Sequence, residues 1–208
     1  MRLLTRRRHM NDVSEAYSAR AAEYIEALGV VEAMHPSDAA LIASWGAQVD
    51  GPALDIGCGP GHWTAFLAER GLDIRGVDLT PAFIEHARAT YPELRFATGS
   101  VEALDASDAS LGGVLAWYSL IHHTPDAIGP ALDEIARALR PGGLLLMGFF
   151  EGAVVEPFDH AVTTAYRWPV AELGERLRAS GFEVIETHTR TSPNTRPHAA
   201  IVARRREV

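Results

Sequence analysis

The sequence predicts an α/β protein built on a doubly wound, mostly parallel seven-stranded sheet. An antiparallel hairpin closes one edge, helices cover both faces, and a helical cap precedes the sheet. Three observations lead there. From Ala53 onward, short apolar runs alternate with segments of helical period, the pattern of repeated strand–helix units. Glycine turns separate these units at Gly57–Gly61, Gly71 and Gly142-Gly143, where the chain must reverse tightly. The last two apolar runs, Phe182–Thr189 and Ala199–Arg204, have only a Ser192-Pro193-Asn194 loop between them. Without a crossover helix they can pair only antiparallel.

The elements follow in order. Met1–Met10 carries Arg2 and Arg6–Arg8 with no apolar stretch after them, unlike a secretory signal. Residues 1–12 are read as a flexible tail, with Met10 a second candidate start, and residues 13–208 as one domain. Val13–Leu28 reads as a helix ended by Gly29, with Ala21, Tyr24, Ile25 and Leu28 on one face. Ser37 or Asp38 caps a second helix through Trp45, stopped near Gly46. Strand Ala53–Ile56, helix His62–Arg70, strand Leu72–Val77 and helix Pro81–Thr90 come next, Pro81 standing at a tolerated first-turn position. A third strand, Leu94–Thr98, leads into a polar loop over Gly99–Ser110, then strand Val114–Trp117 and helix Ala127–Leu139. Leu144–Phe150 is apolar throughout, as a central strand buried on both faces should be. Glu151–Trp168 is irregular, and Val170–Ala179 is the last helix, stopped by Gly181.

Composition narrows the function. The chain has 208 residues, 47% hydrophobic and 22% charged, enough to bury one substantial core. Its formal net charge of −8 opposes general nucleic-acid binding. The basic clusters Arg6–Arg8 and Arg204–Arg206 are read as solvated tails. No apolar run reaches membrane-spanning length. Cys58 is the sole cysteine, which excludes an intrachain disulfide and a Cys-based zinc site. The expectation is a cytoplasmic protein, monomer or homodimer, without nucleic-acid or membrane partners and without a metal.

The residues that carry chemistry cluster at strand ends. Leu54-Asp55-Ile56-Gly57-Cys58-Gly59-Pro60-Gly61 is an acidic glycine turn after the first strand. Its spacing is GxGxG; the dinucleotide fingerprint GxGxxG would need glycine where His62 stands. The second strand ends in Gly76-Val77-Asp78, so Asp78 lies where a carboxylate can accept hydrogen bonds from both ribose hydroxyls. Cys58 is read as a small buried residue of the turn, not a nucleophile.

Together with Leu139-Arg140-Pro141-Gly142-Gly143, these motifs resemble the class I, Rossmann-like, S-adenosylmethionine-dependent methyltransferases, especially the small bacterial "methyltransferase type 11" kind. The resemblance runs from Tyr17 to about Val202. It implies that Gly57 and Gly59 contact the methionine half of the cofactor, that Asp55 orients its ammonium, and that Asp78 holds the ribose. Leu79 would pack on the adenine. Tyr17, with Arg20 and Tyr24, would belong to a helical segment, residues 13–50, that folds over the cofactor. Two features depart from the pattern. Ser100 and Val101 follow Gly99 where relatives often carry an acidic residue facing the adenine; either the Ser100 hydroxyl or the Val101 main chain would serve instead. Gly112-Gly113 stands where relatives tend to have Asp, and is read as a local structural change.

The resemblance implies methyl transfer to O or N, or to C, of a small acceptor, yielding S-adenosylhomocysteine. Positioning supplies most of such an acceleration, and an acceptor that arrives protonated calls for a base. His122 and His123, after the fourth strand, and His160, in the irregular stretch, are the candidates, with His122 first. Trp117 and Tyr118 are read as a wall of the cofactor site. Glu156, Asp159, Tyr166, Arg167 and Trp168 are expected to border an acceptor pocket suited to an anionic or aromatic molecule. A chain of this size without a separate recognition domain points to a metabolite. Two readings stand beside it. One is a cofactor-binding enzyme of the same fold that cyclises or decarboxylates; the other is a non-catalytic partner of another methyltransferase, which would typically lose the glycine turn or Asp78.

Overall fold

The structure, a computed structural model, describes residues 2–193 and 195–207, with the side chains of residues 2–9 and Leu28 excepted. The face expected for Leu28, the solvation of Arg6–Arg8 and the loop position of Asn194 lie outside the described residues.

Five parallel strands lie in the order β3 (Phe96–Thr98), β2 (Ile74–Asp78), β1 (Ala53–Ile56), β4 (Leu111–Trp117) and β5 (Leu139–Glu151). β9 (His198–Arg205) pairs antiparallel with β5, and β8 (Phe182–Arg190) antiparallel with β9. The order reverses between β1 and β4, so the turns after these strands open a crevice at their carboxyl ends. The expected doubly wound sheet with its antiparallel edge is therefore present, with nine strands rather than seven among the described residues. The added pair is β6 (Glu156–Phe158) and β7 (Ala165–Trp168), inside the stretch read as irregular. β7 pairs with Phe150 and Glu151 of β5, just past Gly148, where the β4 pairing stops. Strands this short carry too few residues for an alternating pattern to declare them.

Alternation along each strand divides the core into two layers. Leu54, Ile56, Val114, Ala116, Leu145 and Met147 pack with α6 (Ile128–Ala138) and α7 (Val170–Ala179) through Ile128, Leu132, Ile135, Leu173 and Leu177. Ala53, Leu115, Leu144 and Leu146 face the other way, against Ile42 and Trp45 of α3 (Pro36–Gly46) and Trp63 and Leu67 of α4 (His62–Ala68). α5 (Pro81–Thr90) covers the β2–β3 end through Ile84 and Ala87.

Several boundaries differ from the sequence reading. The single helix expected over Val13–Leu28 is two, α1 (Arg2–Ala19) and α2 (Ala21–Leu28). α1 thus begins within the segment read as a tail. Its last turn tightens to an Arg20 N–H to Tyr17 carbonyl bond of 3.1 Å, and Arg20 leaves helical geometry at φ −120°, ψ 15°. The cap of α3 is His35, whose Nδ1 accepts the Ser37 N–H at 3.2 Å; Ser37 and Asp38 lie inside the helix. The Arg140–Gly143 turn is a bulge within β5, because Leu139 pairs with Leu111 while Leu144 already pairs with Gly113. Gly112 explains its own presence: a Cβ there would stand 1.8 Å from the Asp50 carbonyl oxygen. The C-terminal arginines are not a tail: Arg204 and Arg205 belong to β9, with Arg204 and Arg206 exposed. Arg205 donates to the carbonyls of Ala136 and Gly181, and Arg206 to that of Phe182, tying β9 to the ends of α6 and α7.

Candidate functional site

A cavity of about 520 Å³ opens at the carboxyl ends of β1, β2 and β4 and runs beneath α1 and α2. Its floor is the turn after β1, where Gly57 and Gly59 take φ values of 66° and 54°. A Cβ at Gly57 would stand 2.3 Å from Ser119 Cβ, so only glycine fits between the β1 and β4 turns. At Gly59 a Cβ would meet nothing within 4 Å, which leaves that stretch of backbone open to a ligand.

β2 fixes the turn. The Gly57 and Cys58 amides donate to the Val77 carbonyl at 2.7 and 3.1 Å, and the Gly59 amide donates to Asp78 Oδ2 at 2.9 Å. Asp78 Oδ1 accepts the Thr80 amide at 2.7 Å. The Leu79 amide and the Thr80 hydroxyl bond the same carboxylate, so the glycine turn and the end of β2 hold it together. Asp55 Oδ2 accepts the Thr64 hydroxyl at 2.7 Å. Burial pushes the Asp55 carboxyl up to about 7, with Asp78 adding to the rise, and burial raises Asp78 as well, against its amide bonds. Two carboxyls held above their ordinary range in one cavity favour a positively charged ligand group. The Cys58 thiol is buried and pushed up, which leaves it un-ionised.

The N-terminal helices roof the cavity. The Ser14 hydroxyl donates to the Leu79 carbonyl at 2.9 Å, and the Tyr17 hydroxyl meets His122 Nε2 at 2.9 Å. His122 Nδ1 lies 2.7 Å from the Thr164 carbonyl. A carbonyl only accepts, so Nδ1 carries a hydrogen, and in the neutral ring Nε2 accepts from Tyr17. Arg20 pairs with Glu23 at 2.6 Å and also donates to the Ala161 carbonyl, bridging the roof to the β6–β7 connection. Tyr24 packs at 5.7 Å on Tyr17 and 5.2 Å on Phe83, and burial pushes its phenol up to about 12.

The cofactor and base candidates named from the sequence line this one cavity: Tyr17, Arg20, Tyr24, Asp55, Gly57, Cys58, Gly59, Asp78, Leu79, Ser100, Val101 and Trp117, together with His122, His123 and His160. His160 stacks edge-on to His122 at 5.5 Å between ring centres, and burial lowers it to about 4. The acceptor-border residues need correction. Arg167 pairs with Glu156 at 3.3 Å, Trp168 is buried in the core, and Tyr166 packs against that core. Glu156, Asp159, Tyr166, Arg167 and Trp168 are not among the lining residues. The chain there forms β6 and β7, and Arg167 and Trp168 are taken up in the pairing of β7 with β5.

Other residues take their place. Tyr118, Phe150, Arg190 and His198 line the cavity beyond Trp117, as does His62. His62 is 7% exposed, has no hydrogen-bond partner on either ring nitrogen, and is lowered to about 4 by burial. His198 was findable in principle. An antiparallel last strand beside β5 must begin at the end where β5 finishes, and His198 lies opposite Phe150. No helix of the described residues is long and apolar enough to cross a membrane.

Comparison with known proteins agrees with this architecture. Residues 53–143 match the family model of a methyltransferase domain. An uncharacterized methyltransferase of Mycobacterium bovis is 36% identical over 145 residues, 68% of this chain and 53% of the relative. A malonyl-[acyl-carrier protein] O-methyltransferase of Pseudescherichia vulneris is 30% identical over 151 residues, 73% and 56% of the two chains. The chain thus spans about half the length of the curated relatives it matches. Among solved structures, a 1,6-didemethyltoxoflavin-N1-methyltransferase of Burkholderia thailandensis superposes with a TM-score of 0.74 at 26% identity. That match covers 93% of this chain and 88% of the other, whose structure contains 1,6-didemethyltoxoflavin and S-adenosylhomocysteine. With an acidic glycine turn after β1, a carboxylate ending β2 and a sheet of this order, residues 53–143 carry a methyltransferase domain of the class I, Rossmann-like, S-adenosylmethionine-dependent kind.

Proposed function

We propose that this protein transfers a methyl group from S-adenosylmethionine to an oxygen or nitrogen of a small molecule. The observation that carries the proposal is the convergence of two buried carboxyls, an open glycine turn and a helical roof on one cavity. When bound, the cofactor supplies an electrophilic methyl group on a sulfonium. The Gly57–Gly59 backbone would leave room for its methionine portion, and Asp55 would face the ammonium. Asp78, fixed at the end of β2 by the Gly59 and Thr80 amides, would accept the ribose hydroxyls. Leu79 would pack on the adenine edge, with Ser100 and Val101 beside it.

The remaining work is orientation and exclusion of water. Tyr17 and Ser14 hold α1 down over the cavity, and a cavity of this volume is of small-molecule size. His122 would act as a positioning residue, since Tyr17 and the Thr164 carbonyl take its two ring nitrogens. The test is incubation with S-adenosylmethionine and a panel of small phenols, heteroaromatic N–H compounds, carboxylic acids and amines, followed by mass spectrometry for S-adenosylhomocysteine. Stoichiometric formation of S-adenosylhomocysteine and a methylated acceptor is expected. Tight cofactor binding with product formed but no S-adenosylhomocysteine would place the protein with the non-methylating enzymes of this fold.

A further inference from the structure

The cavity continues past Trp117 into a region walled by Tyr118, Phe150, His160, Arg190 and His198. These residues come from the ends of β4, β5 and β8, the β6–β7 connection and the start of β9, all at the same end of the sheet. Its walls are mostly rings. Tyr118 stands 5.4 Å from Trp117, 5.1 Å from Phe150 and 5.6 Å from His198, and Phe150 stands 5.8 Å from His160. Tyr118 holds this place at φ 57°, a left-handed conformation that a tyrosine adopts only under constraint. Strain of this kind concentrates at ligand sites. The Tyr118 hydroxyl is hydrogen-bonded to His198 Nδ1.

The charges around the rings are mostly positive, although the chain is acidic overall. Arg20 and Arg196 act on His160. Arg190 and Arg196 act on His198, opposed by Asp38. Asp38 itself is held by Arg190 at 3.0 Å, and Glu23 by Arg20 at 2.6 Å. Burial and these cations lower His160 to about 4 and lower His198 as well, so both imidazoles are neutral and weakly basic at neutral pH. The rings suit a flat aromatic body, and the surplus of Arg20, Arg190 and Arg196 over Glu23 and Asp38 favours an anion over an ammonium.

We infer that this region takes a planar aromatic or heteroaromatic acceptor bearing an acidic O–H or N–H, and binds it as its anion. The inference rests on the methyl-transfer reading above. The acceptor's proton leaves to solvent on binding, because the cations stabilise the anion more than the neutral form. Its lone pair then forms the new bond to the methyl carbon as the carbon–sulfur bond breaks, and that electron pair stays on sulfur. An anion and a sulfonium become a neutral methylated product and a neutral thioether, so no side chain has to remove a proton during transfer.

The experiment is a spectrophotometric titration of p-nitrophenol, whose phenolate absorbs separately from the phenol, against the protein saturated with S-adenosylhomocysteine. Bound p-nitrophenol is expected to be about tenfold more acidic than free, equivalent to about one pH unit. In Arg190→Gln, which leaves Asp38 unpaired, that gain should vanish or reverse. In the unaltered protein, phenethylamine should fail to displace the probe, a measurement independent of how the variant folds. Failure of p-nitrophenol to bind, unchanged or weakened acidity on binding, or displacement by phenethylamine would each overturn the acceptor class. Saturation is checked beforehand by calorimetry; no binding of S-adenosylhomocysteine would overturn the methyl-transfer reading itself.

Discussion

Asp55 and Asp78 stand at adjacent positions of the crevice, both buried and both held above the ordinary carboxylate range. Burial of an acid favours its neutral form, and a neighbouring positive charge reverses that preference. A ligand ammonium beside Asp55 should therefore draw a proton off it. Binding releases a proton, so affinity for S-adenosylhomocysteine rises with pH up to about 7, where burial holds the free Asp55 carboxyl, and levels off above it. One proton sets the steepest slope at about tenfold per pH unit. Calorimetry across mildly acid to mildly alkaline pH reads it, and Asp55→Asn should flatten the profile. Asp78→Ala should weaken binding by about tenfold or more, the scale of a lost charge-assisted hydrogen bond, with circular dichroism confirming that the variant is folded. These two residues were legible from sequence because a strand and a glycine turn fix them locally. Arg190 and His198 were not fixed by any local signal, and His198 follows only once the last strand is laid antiparallel beside β5. They reach the cavity only through the β8–β9–β5 register, which joins residues far apart in the chain.

The roof is the element on which closure depends. Among the described residues, α1 reaches the rest of the site through polar contacts of Ser14 with Leu79 and Tyr17 with His122. Each is a neutral hydrogen bond worth about 1 kcal/mol. Tyr17→Phe should accordingly weaken S-adenosylhomocysteine binding by several-fold and speed amide hydrogen exchange in α1, without altering exchange in β4 and β5. Equal exchange in the two proteins would remove Tyr17 from closure. Sequence periodicity gave β1, α5 and α7 with their observed bounds, because each has a strong local signal, including Pro81 opening α5. It joined α1 to α2, since nothing local to Arg20 breaks a helix; the interruption comes where Tyr17 and Arg20 engage His122 and the Ala161 carbonyl. It missed β6 and β7 for the related reason that their existence depends on the exposed end of β5.

At the scale of the molecule, the cavity joins most layers of the fold, so a ligand in it should stabilise the whole. The roof, the β1 and β2 turns and the β4–β5 end all border the same space. A ligand present at a hundredfold excess over its Kd adds about 2.7 kcal/mol to the folded state. For a domain of this length that corresponds to roughly 5–10 °C in Tm, measurable by differential scanning calorimetry. A shift confined to a minor early transition would mean that the roof unfolds separately from the sheet. The central claim is that the crevice between β1 and β4 is an S-adenosylmethionine site. Isothermal titration of the intact protein with S-adenosylhomocysteine tests it most directly. One saturable site of micromolar affinity is expected, weakened by about tenfold or more in Asp78→Ala. No heat of binding in the unaltered protein, or equal affinity in the folded variant, would contradict it.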